Sequence, residues 1–167
     1  MGCLCRYQHA VCGKSSVDAK SNQRGALIVR RRVVIFDDND LIRFTLWHLF
    51  DQRGYDVFTF PEPGLCPLHV VQECPCPGDS SCADLIISDV NMLGESGVDF
   101  IEGLVRKGCK QRRFALMSGT FSAADLTRAE KLGCKLFTKP LKMAEVVAWV
   151  EAAERTMPEE RILYDWT

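Results

Sequence analysis

Short apolar runs alternate with segments of helical periodicity from Arg31 onward, and no other feature of the chain restricts its fold as strongly. The apolar runs predict five strands, at residues 33–36, 55–60, 84–88, 114–117 and 134–138. The helical spacing predicts five helices, at residues 40–52, 64–73, 100–106, 122–132 and 142–155. Short buried strands that are separated by helices favour a parallel sheet with helices on both faces. We therefore predict an α/β fold built on a doubly wound, five-stranded parallel sheet.

The chain divides into one folded domain and two flanking segments. Its length of 167 residues suggests a single domain with enough chain for a real core. Residues 1–30 are polar and lack periodicity, so we interpret them as a flexible N-terminal extension. The folded domain is predicted at residues 31–156, and residues 157–167 are interpreted as a C-terminal tail.

Charge and hydropathy argue against several classes of protein. The formal net charge of −1 provides no overall basic field, so we expect no direct contact with nucleic acid. No apolar stretch approaches the roughly 20 residues of a membrane span, and no signal peptide is evident. These observations predict a cytoplasmic protein that does not contact a membrane. In a reducing compartment its nine cysteines are expected to be thiols or metal ligands before disulfides.

Polar residues end or closely follow four of the apolar runs. Asp37 and Asp38 close the first run, Asp89 closes another, Ser118 closes the next, and Lys139 follows the last. Sites in open parallel sheets lie beyond the carboxyl ends of the strands, so these side chains should meet at one edge. Three crowded carboxylates repel one another unless a divalent cation lies among them, and Mg²⁺ prefers such oxygen ligands. The lysine and the hydroxyl could then hold a phosphoryl group placed on a carboxylate.

The order of these motifs resembles that of the receiver domain of two-component response regulators. The matching segments are residues 37–38, 89–97, 117–119 and 139–140, and the resemblance covers about residues 31–156. It implies a flavodoxin-like sheet with strand order 2-1-3-4-5. It also implies a stand-alone receiver similar to the chemotaxis regulators, because nothing resembling an output domain follows.

The resemblance implies a role for each acidic residue. Asp89 would accept a phosphoryl group from a histidine kinase or a phosphotransfer protein. The side chains of Asp38 and Asp89 and the backbone carbonyl of Asn91 would bind Mg²⁺, with Asp37 acting through water. A carboxylate is a poor nucleophile toward an anionic donor, and a cation offsets that repulsion.

The resemblance also assigns the groups that would contact the phosphoryl group. Ser118 would contact it with help from the Gly119 amide, and Lys139 would pair with it. No enzyme activity is expected beyond self-catalysed phosphotransfer and hydrolysis of the aspartyl phosphate. Signalling would then proceed through phosphorylation-dependent contacts with a downstream protein that the sequence does not name.

Two positions depart from the family pattern. Leu93 stands where the family usually has proline, and Leu136 occupies the position of the aromatic switch residue. We therefore expect the switch to act mainly through the loop at residues 119–124. The partner contact is expected on the surface formed by the fourth helix, the fifth strand and the fifth helix.

Two alternative readings start from other residues. Cys66, Cys74, Cys76 and Cys82 lie around one loop and could hold zinc, which would make the protein a thiol- or metal-sensing interaction protein on a receiver scaffold. Free thiols in an enlarged loop are the competing interpretation. A phosphatase with an aspartyl nucleophile is disfavoured, because such enzymes carry an acid two residues after the nucleophile and Asn91 stands there.

Overall fold

The computed structural model describes residues 30–78, 80–158 and 163–164. Five parallel strands form one sheet in the order β2-β1-β3-β4-β5, which confirms the fold predicted from the sequence. The strands are β1 (Arg31–Phe36), β2 (Tyr55–Phe60), β3 (Leu85–Asp89), β4 (Phe114–Ser118) and β5 (Lys135–Thr138). The helices are α1 (Asp40–Gln52), α2 (Pro67–Val70), α3 (Gly97–Arg106), α4 (Ala123–Lys131) and α5 (Met143–Glu154).

Both faces of the sheet are buried, because successive side chains of a strand point to opposite faces. On β1, Val34 and Phe36 pack with apolar residues of α2, α3 and α4, whereas Val33 and Ile35 pack with those of α1 and α5. The central strands β3 and β4 are buried along their whole length. This two-sided burial explains why the central strands read as continuous apolar runs rather than as alternating ones.

Two helices differ from their predicted bounds by more than one residue at an end. A helix was predicted over residues 64–73, but the structure has a single 3₁₀ turn at Pro63–Leu65 and then the four-residue α2. Cys66 interrupts them in an extended conformation because the ring of Pro67 disfavours a helical residue before it. Helix α3 begins at Gly97 rather than Phe100, since the Ser96 hydroxyl caps it by accepting a hydrogen bond from the Asp99 amide.

The predicted loop before β3 lies at the amino end of the sheet. Between α2 and β3, the described residues contain no further helix or strand apart from an isolated bridge between Ser81 and Leu163. The Tyr164 amide also donates to the Ser81 carbonyl, and the Tyr164 carbonyl accepts a hydrogen bond from Arg32. These two residues of the segment interpreted as a tail therefore contact the domain. Residues 1–29, which make up nearly all of the predicted extension, lie outside the described residues.

Candidate functional site

The carboxyl ends of four strands bring the polar residues to one edge of the sheet. Strand β3 ends on Asp89 and β4 ends on Ser118, while Asp37 follows β1 directly and Lys139 follows β5 directly. Parallel pairing aligns these ends, since Asp89 is level with Met117 and Ser118 is level with Thr138. The positions follow from strand register alone.

Lys139 joins two of the three carboxylates. Its Nζ lies 2.8 Å from Asp37 Oδ2 and 2.8 Å from Asp89 Oδ1. Burial opposes the charge on the lysine, but the hydrogen bonds and charges of Asp37 and Asp89 outweigh it and raise the pKa of Lys139. Burial raises the pKa of Asp89, and the neighbouring Asp37 and Asp38 add to the rise, while Lys139 opposes it. The site therefore holds more negative charge than the single ammonium offsets.

The three aspartates also suit a cation. One oxygen from each of Asp37, Asp38 and Asp89 lies within 4.8 Å of the other two. Asp37 is fully buried, and its Oδ2 forms an ion pair with Lys139. Asp38 is exposed, so a cation could reach the group from solvent. All the donors are hard carboxylate oxygens, which fits Mg²⁺ better than a soft metal.

Two further contacts fix Asp37. Its Oδ1 accepts a hydrogen bond from the Asn39 amide at 2.9 Å, and its backbone carbonyl accepts one from Arg43 at 2.5 Å. Asn39 is also the N-cap of α1, where its side chain accepts from the amides of Leu41 and Ile42. The start of α1 thus holds Asp37, and the sequence pattern did not indicate Arg43 or Asn39 for this role.

Ser118 is held by the loop that follows it. Its hydroxyl donates to the Thr120 carbonyl at 2.6 Å and accepts from the Thr120 amide at 3.1 Å. It also accepts from the side-chain amide of Asn91 at 3.1 Å. Gly119, which lies between Ser118 and Thr120, is exposed. The hydroxyl has one proton, so Ser118 must give up its bond to the Thr120 carbonyl before it can donate to a new acceptor. The contact with Asn91 was not predicted.

Gly97 lets α3 approach the end of β3 closely. A Cβ added there would lie 2.0 Å from the Asp89 carbonyl oxygen and 2.6 Å from Ser88 Oγ. The Gly97 amide instead donates to the Val90 carbonyl at 3.1 Å. This contact with the backbone of Asp89 joins residues of different elements, so it depends on how α3 packs against β3.

The family model of the response regulator receiver domain matches residues 33–151. Because the match spans more than half of the 167 residues, the chain belongs to the response regulator receiver family. Among curated proteins, no relative matches the chain significantly.

Solved structures of the same fold come from several bacteria. CheY4, a chemotaxis protein of Vibrio cholerae, is 20% identical with a TM-score of 0.60, and the match covers 75% of this chain and 99% of that one. The receiver domain of HemR from Leptospira biflexa is 20% identical with a TM-score of 0.63, covering 81% and 100%. A two-component response regulator from Clostridium difficile is 16% identical with a TM-score of 0.62, covering 77% and 98%. At these identities the similarity establishes the fold.

No helix within the described part of the chain has both the length and the apolar character needed to cross a membrane.

Proposed function

We propose that the protein is a single-domain response regulator whose Asp89 accepts a phosphoryl group from a histidine kinase or a phosphotransfer protein. The observation that carries the proposal is the bridge made by Lys139, which lies 2.8 Å from both Asp37 and Asp89 at an edge that also holds Asp38. A fixed ammonium and a place for a cation are what an anionic nucleophile needs in order to meet an anionic donor.

Among the three aspartates, Asp89 is the best candidate for the phosphoacceptor. Asp37 is held by Asn39, Arg43 and Lys139 and is fully buried, so its oxygens are already committed. Asp38 is exposed, so it lies where a cation would enter the site from solvent. Asp89 is 4% exposed and has a raised pKa, and its direct contact with Lys139 orients one of its oxygens.

Asp38 and Asp89 and the Asn91 carbonyl would hold Mg²⁺, with Asp37 acting through water. The ion would supply positive charge that lowers the repulsion between the carboxylate and the phosphoryl donor. Lys139 would keep its contact with the modified side chain. Ser118, assisted by the Gly119 amide, would turn from Thr120 toward the added phosphoryl oxygens, which are strong acceptors.

The partner would carry phosphohistidine and would approach over α1. Leu41, Phe44 and Trp47 are spaced three residues apart on this helix, and they are 71%, 63% and 39% exposed. The helix begins two residues after Asp38, so its first turns border the site. An apolar surface beside the acidic group could contact the donor protein while the phosphohistidine reaches Asp89.

The downstream contact would use α4, β5 and α5, as expected from the sequence. Phe137 is buried on the side of α1 and α5, whereas Leu136 packs on the opposite side and is half-buried. Since Leu136 has no polar group to bury or expose, movement of the loop at 119–124 would transmit the change. A cytoplasmic location is part of the proposal, because kinase and donor are expected there.

The test uses a small donor, so that the chemistry is separated from docking. The full chain is incubated with acetyl phosphate and Mg²⁺, and the intact mass is measured. We expect one phosphoryl adduct that is lost in Asp89→Asn and kept in Asp99→Asn, an exposed aspartate of α3. An undiminished adduct in Asp89→Asn would refute the assignment. Asp38→Asn should raise the Mg²⁺ concentration needed for half-maximal labelling by roughly tenfold or more.

A further inference from the structure

Four cysteine thiols meet near the amino end of the sheet, although they come from two loops. The Cys76 thiol is a direct neighbour of those of Cys74 and Cys82. The Cys109 thiol is a direct neighbour of those of Cys82 and Cys74. The four thiols therefore form a closed ring of neighbours. None of the six cysteines among the described residues forms a disulfide.

The membership of this ring differs from the set that sequence proximity suggested. Cys66 is buried, but its thiol interacts with the backbone of Leu68 and His69 rather than with another cysteine. Cys109 takes its place, because the connection between α3 and β4 runs beside the loop that precedes β3. The Cys74 amide donates to the Lys107 carbonyl at 2.7 Å, and this bond joins the two connections.

Three of these thiols lie in a loop without regular structure, and two of the three are buried. Cys76 and Cys82 are 6% and 2% exposed, and Cys109 is 2% exposed. The segment between Val71 and Asp84 contains neither helix nor strand among its described residues, except for the isolated bridge at Ser81. Long irregular loops in compact domains are uncommon, and a cross-link that ties their side chains together removes much of the entropy they would otherwise keep.

The surroundings favour a negatively charged centre. Lys107, Lys110 and Arg112 flank Cys109, and the Lys110 ammonium donates to the Cys76 carbonyl at 3.4 Å. Four thiolates confined this closely would repel one another unless a cation joins them.

We propose that Cys74, Cys76, Cys82 and Cys109 form a structural Zn²⁺ site that fastens the loop before β3 to the connection between α3 and β4. Four sulfur ligands without an open position are typical of structural zinc. This site is separate from the phosphoacceptor edge and does not depend on the proposed phosphorylation.

Zinc binding would draw the loop together. Within the described residues, only the three aspartates have ligand atoms that already lie within 4.8 Å of one another, so the sulfur atoms are gathered more loosely. In the bound state each sulfur would form one bond of about 2.3 Å to the ion. Four thiols would release their protons to solvent, and the resulting centre would carry two negative charges, which the neighbouring lysines and arginine offset.

The first experiment measures metal in the purified full chain. The protein is prepared without chelators, exchanged into buffer containing excess Mg²⁺, and analysed by elemental mass spectrometry. We expect one zinc ion per chain. Replacing Zn²⁺ with Co²⁺ should produce thiolate-to-cobalt charge-transfer absorption and the visible bands of a tetrahedral complex. A cobalt ion at the aspartates would lack the charge-transfer bands, so this readout distinguishes the two sites.

Matched serine variants identify the ligands. Cys74→Ser, Cys76→Ser, Cys82→Ser and Cys109→Ser should each weaken zinc binding by roughly 100-fold or more. Cys66→Ser and Cys134→Ser, which change thiols outside the ring, should keep the ion. Circular dichroism and labelling by acetyl phosphate check that each variant is folded.

Three results would overturn the proposal. One is a folded wild-type protein that contains no zinc and has all four thiols open to alkylation. Another is full retention of zinc by folded Cys109→Ser. The third is an equal loss of zinc in Cys66→Ser, which would show that the ring is not the site. Failure of phosphorylation with zinc intact would instead count only against the proposed function.

Discussion

The two ends of the sheet gather reactive side chains in different ways. At the carboxyl end, Asp89, Ser118 and Lys139 are fixed by strands whose register is set along their whole length. At the amino end, Cys76 and Cys109 lie in connections held by a few backbone hydrogen bonds. The ends are separated by the five residues of β3, or roughly 15 Å at about 3.3 Å per residue. The strand ends therefore present a prearranged group of side chains, whereas the thiols in the loops would need the proposed ion to draw them together.

The largest loss of stability should come from adding a methyl group at Gly97, where α3 lies against the carboxyl end of β3. In Gly97→Ala, the new methyl group would meet the Asp89 carbonyl oxygen at 2.0 Å, so α3 or β3 must shift. We expect the free energy of unfolding in urea to fall by about 3 kcal/mol. Gly103→Ala is the matched control on the same helix, where the methyl group meets nothing within 4 Å. It should gain up to about 1 kcal/mol from helix propensity. Equal effects would show that the acidic end is less tightly packed than we infer.

The next largest loss of stability should come from removing the ammonium group of Lys139. Lys139→Met leaves Asp37 and Asp89 without their shared cation and should lower stability at pH 7 by about 2–3 kcal/mol. The raised pKa of Lys139 means that its contribution is fully present below the unfolded lysine value of about 10.4. The contribution is lost as the pH rises through the folded value.

Thermal unfolding from pH 6 to 11 checks both parts of this prediction. The control is Lys142→Met, which removes an exposed ion pair with Glu145 and should cost less than about 0.5 kcal/mol. A difference between wild type and Lys139→Met that is as large at pH 11 as at pH 6 would contradict the assignment.

A smaller change in stability, of the opposite sign, is expected at Asp89, the proposed phosphoacceptor. Burial raises the pKa of Asp89, so this group favours the folded state most below the unfolded value of about 3.9, and the advantage is lost as the pH rises through its folded value. At pH 7 the charged side chain of Asp89 destabilises the folded state. Asp89→Asn should therefore raise the free energy of unfolding by about 1 kcal/mol. The gain should vanish near pH 3.

Asp99 offers a control with the opposite sign. The Arg128 hydrogen bond lowers the pKa of Asp99, so its contribution is present at neutral pH and is lost in acid. Asp99→Asn should therefore lose stability at pH 7. Denaturant unfolding of both variants at pH 3 and pH 7 would decide the matter, and a loss of stability in Asp89→Asn at pH 7 would be the contrary result.

The smallest effect is dynamic. Binding of beryllofluoride should slow amide exchange in residues 118–124, because Ser118 would exchange its bond to Thr120 for one to the new acceptor. We expect a weaker response at residues 134–138, where Leu136 has no polar group to reorganise, and none near Cys109. A larger change at 134–138 with none in the loop would show that another element moves.

Local chemistry made much of the fold predictable. Buried strands show as apolar runs, and residues such as Gly54, which follows α1 with a φ of +77°, mark the helix ends. No helix spans residues 64–73, because Pro67 disfavours a helical conformation at the residue before it. The start of α3 carries no apolar periodicity and is set by Ser96, because serine is a favoured N-cap.

By itself the sequence determined which residue types end the strands, and the order of parallel strands then placed Asp37, Asp89, Ser118 and Lys139 at one edge. The tertiary structure alone decided the contacts between elements distant in the chain. It brought Cys109 rather than Cys66 to the thiols of Cys74, Cys76 and Cys82, and it set the α3 backbone against Asp89. The physical reason is that periodicity records which side of an element is buried, whereas the meeting of two loops depends on how whole elements pack.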